Sequence, residues 1–487
     1  MPRQRLKRQS GESCKHRPGI LMVGFSQQIS CRDINTVHLS LYYHENGATL
    51  LPELAMGSQN LGITDFSLAC YKLRGRMFSS RTNWRLDPNL LTQALERHRH
   101  GGRPLLDLTV SNPTTCGFHY PQREILAALA DPRALLHAPE SKGLLEARAA
   151  VAEYYRGQPA FAGGSAAVDP ERVILVSGTS EGYSHLFRLL CEPGDEILVP
   201  APSYPLFEFL ADLNDVRLVP YPLLYDHGWH MDFPSLRRAI TERSRAVLLV
   251  HPNNPTGSFT KPHEAAQMAE LCAAREIAIV ADEVFLDYAD ADTPAATVLA
   301  AERPLPGTSA AGSFALGGPA LAFTLSGLSK ICALPQMKLA WIVVSGPEAP
   351  ARAAIERLEV IADTYLSPGT PVQLAAPKLL ALRGGLQTQI RERVAANLAF
   401  LDSALGENSP VTRLGREGGW YAVLRVPSSG SDEALAVELL ERCSVLVHPG
   451  HFFNFAQDGF LVVSLIAPES EFREGVRRAC SFIAGAG

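Results

Sequence analysis

Seven short runs of apolar residues recur along the middle of the chain, and helical patterns lie between most of them. The runs cover residues 172–177, 195–200, 216–221, 246–251, 277–282, 321–326 and 339–345. Strands that are apolar at every position, rather than at alternate positions, are typical of a sheet that helices cover on both faces. The pattern therefore predicts an α/β fold in which a large domain contains a seven-stranded, mostly parallel sheet.

The pattern changes after Gly346. Long helical patterns cover Ala351 to Ile361 and Pro371 to Leu405, and two more strand-like runs follow, Tyr421 to Val426 and Phe460 to Leu465. Helices followed by strands, without regular alternation, are typical of an α+β arrangement. We therefore predict a second, smaller α+β domain in this part of the chain.

Polar residues stand where the predicted strands of the large domain end. Lys330 follows the sixth run after a turn of small residues, Asp282 ends the fifth run, and Asn254 lies in the turn after the fourth. Ligands of such sheets gather beyond the carboxyl ends of the strands. A lysine that is partly removed from water there can lose its proton near neutral pH and attack a carbonyl carbon. Each residue also has an ordinary explanation, because lysines are common on surfaces and carboxylates and amides are common in turns and caps.

A further feature is the turn that follows the first run. Gly178, Thr179 and Ser180 lie just before a helical pattern that extends from Tyr183 to Leu190. The free N–H groups of a helix start, together with hydroxyl groups, bind phosphate well. The same residues are common as helix caps, so the sequence by itself leaves both explanations open.

Taken together, these features resemble the class I/II aminotransferases, which are fold-type I enzymes that use pyridoxal phosphate. Each motif is weak by itself, but the order and spacing of the motifs are specific to that family. The resemblance extends from about Met77 to near the C-terminus. The matching motifs are Ser-Gly-Thr-Ser-Glu (177–181), Pro-Ser-Tyr-Pro (202–205), Asn-Asn-Pro-Thr-Gly (253–257), Asp-Glu-Val (282–284) and Ser-Gly-Leu-Ser-Lys (326–330).

The resemblance implies the cofactor pyridoxal 5'-phosphate and two catalytic residues. Lys330 would hold the cofactor aldehyde as a Schiff base and would later move a proton between the substrate and the cofactor. Asp282 would face the pyridine nitrogen and keep it protonated, because an adjacent anion favours the cationic form. A protonated ring is the better electron acceptor, so the two residues would serve the same reaction.

Other residues would bind the cofactor and the substrate. Asn254 would donate to the phenolic oxygen of the ring, and Tyr204 would cover one ring face. Ser111 and Asn254 would contact the substrate, because the family places the segment around Ser111 at the substrate entrance. The phosphate group would be held by Gly178, Thr179, Ser180, Ser326 and Lys338.

Several positions depart from the family pattern. Lys338 replaces an arginine that binds the phosphate, so the charge stays but the bidentate donor geometry is lost. Phe285 replaces a tyrosine that bonds the phenolic oxygen, and His137 stands where a tyrosine reaches the partner subunit. Val462 stands where an arginine binds the substrate carboxylate. Arg81 is a candidate to replace that arginine, and a solvated arginine near a domain edge is the alternative explanation.

More than one reaction stays open on this scaffold. Transamination between an amino acid or amine and an oxo acid is the leading interpretation. The alternatives are a β-elimination that breaks a carbon–sulfur bond and a decarboxylation, and fold alone does not choose among them. A cofactor-binding regulator without turnover would need a DNA-binding segment, and residues 1–76 show no helix-turn-helix pattern.

Composition restricts the classes of binding partner and the cellular compartment that we expect for this protein. The chain has 487 residues, of which 46% are hydrophobic and 20% charged, and its net charge is −5. Such values predict a soluble protein of at least two domains, with no electrostatic case for nucleic acid or a membrane surface. Nine scattered cysteines predict a reducing, cytoplasmic environment and no metal site. The resemblance adds an amino donor and an oxo acid as small-molecule partners, and a homodimer as the expected assembly.

The first 76 residues differ from the rest. They contain ten Lys or Arg residues against five Asp or Glu residues and show no sustained period. We therefore expect either a disordered N-terminal extension or a start codon chosen too far upstream. The resemblance then divides the remainder into residues 77–130, which complete the small domain, residues 131–345, the large cofactor-binding domain, and residues 346–487, the small C-terminal domain.

Overall fold

The structure is a computed structural model. The part of the chain that it describes comprises residues 77–156, 167–290, 312–407, 409–427 and 430–485. The predicted N-terminal extension, residues 1–76, lies outside the described residues, so its predicted disorder stays a prediction. Among the described helices, none is both long and apolar enough to cross a membrane.

Strands form three separate sheets within the described residues. In chain order they are β1 (Leu106–Asp107), β2 (Val173–Val176), β3 (Glu196–Ala201), β4 (Arg217–Tyr225), β5 (Trp229–Met231), β6 (Ser244–Val250), β7 (Ala278–Asp282), β8 (Ala322–Gly327), β9 (Ala340–Ser345), β10 (Thr412–Arg413), β11 (Tyr421–Arg425), β12 (Val445–Leu446), β13 (His448–Pro449) and β14 (Phe460–Ser464).

The largest sheet has eight strands in the order β2-β9-β8-β7-β6-β3-β4-β5. Only β9 and β5 run against the other strands, so the sheet is mostly parallel. All of the predicted strands are present, and the predicted fold class is confirmed. The prediction missed β5, because three residues at the end of a hairpin are too short a run to be recognised.

Helices pack on the sheets and connect their strands. In chain order they are α1 (Leu90–His100), α2 (Gln122–Leu129), α3 (Leu145–Arg156), α4 (Thr179–Leu190), α5 (Phe207–Leu213), α6 (Phe233–Ala239), α7 (Pro262–Arg275), α8 (Leu328–Ile331), α9 (Glu348–Tyr365), α10 (Thr370–Ala404), α11 (Asp432–Cys443) and α12 (Glu469–Gly485).

Both faces of the large sheet are covered, as the apolar runs predict. On β2, Ile174 and Val176 belong to a core that includes residues of α4 and α9. Val173 and Leu175 belong to a different core, which includes residues of α3 and α10. Successive side chains of a strand point to opposite faces. A strand between two helical layers therefore buries every one of its side chains, which is why it contains no polar alternation.

A second core joins the two ends of the described chain. Leu91 and Leu108 belong to the same apolar cluster as Leu439 and Phe472. The short strand β1 pairs in parallel with β12, and β10, β11, β14 and β13 form an antiparallel sheet. This shared core supports our proposal of a small domain built from both ends, whose boundaries stay a prediction.

Helix α10 passes from one core to the other. Leu379 belongs to a core of the large sheet, whereas Leu386 belongs to the second core. Between them lie Gly384 and Gly385, both exposed, and no atom lies within 4 Å of a Cβ built on either residue. Glycine inside a helix is less favourable than alanine by about 1 kcal/mol. Since no close contact requires glycine here, the pair lowers the stability of the helix at the junction.

Replacing Gly384 or Gly385 with alanine should therefore raise the free energy of unfolding by about 0.5–1 kcal/mol for each change. Chemical denaturation measures this difference. Gly475→Ala is a matched control inside helix α12, because its Cβ would lie 3.0 Å from the Leu108 side chain. Gly475→Ala should raise the free energy of unfolding by less than the other two changes, or should lower it. Equal gains at all three positions would contradict this account of local packing.

Candidate active site

A cleft lies at the edge of the large sheet where the parallel strands end. Together with the open space at its mouth it encloses about 960 Å³. The turns that follow β2, β3, β6, β7 and β8 contribute to its walls, and the small sheet adds Tyr421. The predicted site residues that line it are Ser111, Thr179, Ser180, Tyr204, Asn254, Asp282 and Lys330.

Lys330 lies in α8, immediately after β8. Gly327 makes this turn possible, because a Cβ there would lie 2.7 Å from a side chain of strand β9. The carbonyl oxygen of Lys330 accepts a hydrogen bond of 2.8 Å from the Tyr288 hydroxyl. The Lys330 Nζ lies 4.9 Å from the centre of the Trp420 ring and 5.5 Å from that of Phe285. The lysine backbone is thus held in place, and aromatic rings line one side of its amine.

Asp282 ends β7 and is only 6% exposed. Its Oδ2 accepts a hydrogen bond of 2.8 Å from the Tyr183 hydroxyl, and its Oδ1 accepts one of 3.1 Å from the N–H of Val284. Burial raises the pKa of Asp282 to about 6, whereas the two hydrogen bonds and the charge of Lys330 act in the opposite direction. A buried carboxylate of this kind suits a cationic partner such as a protonated pyridine nitrogen.

Glu283, the second carboxylate of the Asp-Glu motif, does not line the cleft. It is fully buried, and it accepts hydrogen bonds of 2.7 Å from the Ser313 hydroxyl and 2.6 Å from the Phe314 N–H. Burial raises the pKa of Glu283 to about 8, and the charge of Asp282 adds to the rise. The two adjacent carboxylates therefore have different roles, since Glu283 stabilises the turn at Ser313.

The start of α4 offers a set of donors for an anion. Gly178 is the N-cap of this helix, and no side chain caps the helix there. Thr179 and Ser180, its first two residues, line the cleft. A Cβ built on Gly178 would lie 3.7 Å from the Lys338 Nζ, so an amine lies beside the uncapped N–H groups. Helix N–H groups together with a cation and hydroxyls suit a phosphate group.

The side chain of Asn254 also indicates a missing polar partner. Asn254 is 8% exposed, and its Oδ1 has no hydrogen-bond partner in the described part of the chain. An unpaired polar atom of a buried amide is costly unless a ligand pairs with it. The donors around Gly178 and the buried carboxylate of Asp282 thus fit the phosphate and the ring nitrogen of pyridoxal phosphate. The phenolic oxygen of the cofactor would need the Nδ2 donor of Asn254, whereas the unpaired Oδ1 needs a donor from a ligand.

Ser326 is the predicted phosphate ligand that lies elsewhere. Its hydroxyl donates a hydrogen bond of 3.3 Å to the Glu283 carbonyl oxygen, and it is not part of the cleft wall. Ser329 lines the cleft instead. Strand β8 continues through Gly327 and keeps Ser326 inside the sheet, which the sequence does not show, so the structure offers Ser329 as an alternative hydroxyl for the phosphate.

The structure also places the residues that depart from the family pattern. Val462 is fully buried in β14, opposite His448 of β13. Arg81 does not line the cleft. Its Nε donates a hydrogen bond of 2.7 Å to the carboxylate of Asp215, a residue just before β4. This pairing favours the alternative explanation, a solvated arginine near a domain edge, and the substrate role of Arg81 stays a prediction. His137 is exposed and does not line the cleft.

Sequence reasoning missed several residues that line the cleft or lie beside Lys330. Tyr183 had a usable signal, because it lies four residues after Thr179 and therefore on the same face of α4. Trp420 and Tyr421 had none. They arrive from the small sheet, and no local pattern shows that this sheet meets the turn that holds Lys330.

Comparisons with known proteins agree with this geometry. The chain matches the family described as aminotransferase class I and II over residues 103–478. It is 30% identical over 380 residues to an alanine aminotransferase of Mycobacterium tuberculosis, and the matched region covers 75% of this chain and 82% of the relative. It is 28% identical over 409 residues to the glutamate-pyruvate aminotransferase AlaA of Escherichia coli, and the matched region covers 81% of this chain and 91% of the relative.

A solved structure shares the fold as well. A crystal structure of an aminotransferase from Escherichia coli is 25% identical, with a TM-score of 0.68, and the match covers 82% of this chain and 95% of the other. An alanine aminotransferase from Pyrococcus furiosus has a TM-score of 0.70 at 23% identity, which shows the shared fold.

The mostly parallel sheet and the lysine cleft at its edge define a fold-type I enzyme that uses pyridoxal phosphate. The family match makes the assignment specific, and the chain belongs to the class I and II aminotransferase family. It is a pyridoxal phosphate-dependent aminotransferase. The predictions of the family, the cofactor and the reaction class are thereby confirmed.

The pKa of Glu283 generates a prediction for the chain without cofactor. Its value in the folded state, about 8, lies above the ordinary value of 4.5. The stability that protonated Glu283 contributes is therefore fully present when the pH is below the ordinary pKa of 4.5. It is lost as the pH rises through the pKa of about 8 in the folded state. We expect the free energy of unfolding to fall over this range. Glu283→Gln, which is neutral and nearly isosteric, should flatten the fall in urea unfolding measured at successive pH values.

Asp282→Asn serves as the control for this experiment. Burial raises the pKa of Asp282 to about 6. Asp282→Asn should therefore remove only the part of the fall in unfolding free energy that occurs up to about pH 6. An unchanged slope in Glu283→Gln would contradict a protonated, buried Glu283.

Proposed function

We propose that this aminotransferase moves the amino group of a small α-amino acid to a 2-oxo acid, with alanine, glutamate and pyruvate as the first candidates. The observation that carries the proposal is the meeting of Lys330 and Asp282 in one cleft. The names of the relatives supply the candidate substrates, since they are described as alanine and glutamate-pyruvate aminotransferases.

The cleft residues would bind and orient the cofactor. When it is bound, pyridoxal phosphate supplies an aldehyde that takes up the amino group and a ring that accepts electrons from the substrate α-carbon. The N–H groups at Gly178 to Ser180 and the amine of Lys338 would hold the phosphate. Asn254 would bond the phenolic oxygen, and Tyr204 would cover a ring face.

Two residues would handle protons. The Lys330 Nζ would bind the cofactor covalently between turnovers, and once released it would carry a proton to and from the substrate α-carbon. The Asp282 carboxylate would hold the proton on the ring nitrogen, because a close anion favours the cationic form of that nitrogen. The aromatic rings of Trp420 and Phe285 beside the amine would limit the access of water to it.

The substrate carboxylate would be bound without the usual arginine. Val462 offers no charge, and no arginine is among the described residues that line the cleft. We propose that the polar groups at Ser111 and Asn254 contact the substrate instead. Hydrogen bonds from neutral groups to a carboxylate are weaker than a bidentate arginine contact, so we expect modest substrate affinity.

A homodimer and a cytoplasmic location complete the proposal. Leu135 and Leu136, neighbours in the chain, are 93% and 68% exposed. Contiguous exposed apolar surface is one mark of an interface, and we propose that these two side chains belong to one. The cysteines in the described residues are unpaired, which agrees with a reducing compartment.

Borohydride reduction of the cofactor-loaded protein should fix the cofactor on Lys330. Peptide mapping by mass spectrometry identifies the modified lysine. Lys330→Arg should abolish the adduct, because guanidinium does not act as the attacking amine at neutral pH. Lys338→Gln is the matched control, and it should keep the adduct on Lys330 while it weakens cofactor affinity by about tenfold to a hundredfold. An adduct on another lysine would overturn the proposal.

A single-turnover experiment should distinguish transamination from its alternatives. The loaded enzyme mixed with alanine or glutamate should yield one equivalent of the matching 2-oxo acid, with the nitrogen retained on the cofactor. A second 2-oxo acid should then recover that nitrogen as an amino acid. Release of ammonia would indicate elimination, and release of carbon dioxide would indicate decarboxylation.

A further inference from the structure

A tyrosine that the family resemblance does not assign contacts the catalytic carboxylate. Tyr183 lies on α4 and is 2% exposed. Its hydroxyl donates a hydrogen bond of 2.8 Å to Oδ2 of Asp282. Tyr183 also forms part of the cleft wall. The phenol therefore lies at the bottom of the site, between the start of a helix and the end of strand β7.

Aromatic neighbours hold the ring of Tyr183 in place. The ring centre lies 5.2 Å from that of Phe207, in an edge-to-face arrangement. The Phe207 ring in turn lies 5.9 Å from the ring of Tyr204, the residue expected to cover the cofactor. Edge-to-face pairs restrict the rotation of both partners. The direction of the Tyr183 hydroxyl is thus determined by the same packing that supports Tyr204.

We propose that Tyr183 is a positioning residue, whose hydroxyl keeps Asp282 ionised and oriented toward the ring nitrogen of the cofactor. This inference rests on the proposed function of Asp282. A protonated carboxyl group would no longer stabilise a cationic nitrogen. A donor bonded to the charged form of an acid favours that form. The hydrogen bond from Tyr183 therefore opposes the effect of burial where the reaction needs the anion.

Other charged groups around Asp282 do not replace this donor. The amine of Lys330, on α8, favours the anion, but the same amine takes part in the reaction and changes its bonding during turnover. Glu283, the residue that follows β7, is largely uncharged at neutral pH, because burial and the charge of Asp282 raise its pKa to about 8. The N–H of Val284 bonds the other oxygen, Oδ1. Tyr183 is thus a side-chain donor whose contact with Oδ2 does not depend on the stage of the reaction.

The test is Tyr183→Phe in the full chain loaded with pyridoxal phosphate, compared with Tyr221→Phe. Tyr221 is a matched control, because it is also fully buried and its hydroxyl donates a hydrogen bond of 3.0 Å to a carbonyl oxygen, that of Leu248. Two quantities are measured against pH, which are kcat/KM and the affinity of the cofactor-free chain for pyridoxal phosphate.

Tyr183→Phe should move the acidic limb of both profiles upward by about one to two pH units, because a hydrogen bond to a charged group is lost. Tyr221→Phe should leave both limbs in place. In an Asp282→Asn background, Tyr183→Phe should produce no further shift, since the group it acts on is gone.

Three outcomes would overturn the inference. They are an unchanged acidic limb in Tyr183→Phe, an equal shift in Tyr221→Phe, and loss of folding in Tyr183→Phe while Tyr221→Phe folds. Failure of the proposed function has a different signature, because wild-type protein would then carry no reducible adduct on Lys330. A wild-type adduct on Lys330 with an unshifted Tyr183→Phe profile rejects the role of Tyr183 alone.

Discussion

The common direction of the parallel strands is the constraint on which the site depends. Parallel neighbours bring the ends of strands that are far apart in the chain to one edge of the sheet. Asn254 follows β6, Asp282 ends β7 and Lys330 follows β8, and these three strands are adjacent in the sheet. Helices on both faces leave these strands mostly apolar, and the few polar residues within them, such as Thr324 and Ser326, are buried. The polar residues are therefore concentrated at the strand ends, and the cleft forms there.

The two adjacent carboxylates at the end of β7 are both buried, yet they have different roles. Asp282 and Glu283 are both almost inaccessible to water, and burial raises the pKa of each. Consecutive side chains leave an extended segment in opposite directions. One carboxylate therefore reaches the cleft and meets Tyr183, while the other bonds the turn at Ser313. A two-residue motif thus contributes both to the chemistry and to the framework around it.

Close contact between the two cores brings the aromatic wall to the lysine. The N–H of Glu417 donates to the Gly257 carbonyl oxygen at 3.1 Å, which joins the small-domain chain to the turn that contains Asn254. A Cβ on Gly418 would lie 2.5 Å from the Tyr288 carbonyl oxygen, so only glycine permits this approach. Trp420 follows directly and reaches Lys330. The environment of the amine is thus determined by packing between segments distant in sequence.

The sequence by itself determined the fold class, because apolar runs specify buried strands, and the family resemblance of its motifs implied the cofactor. Most of the residues that it proposed for the site line one cleft. The sequence pointed to Ser326, whereas the structure places Ser326 within β8 and Ser329 in the cleft, since a strand end depends on hydrogen bonds to neighbouring strands. It also suggested Arg81 as a substrate ligand, whereas the tertiary structure pairs Arg81 with Asp215. Tyr183, Trp420 and Tyr421 became part of the site only through contacts between elements, which no local pattern encodes.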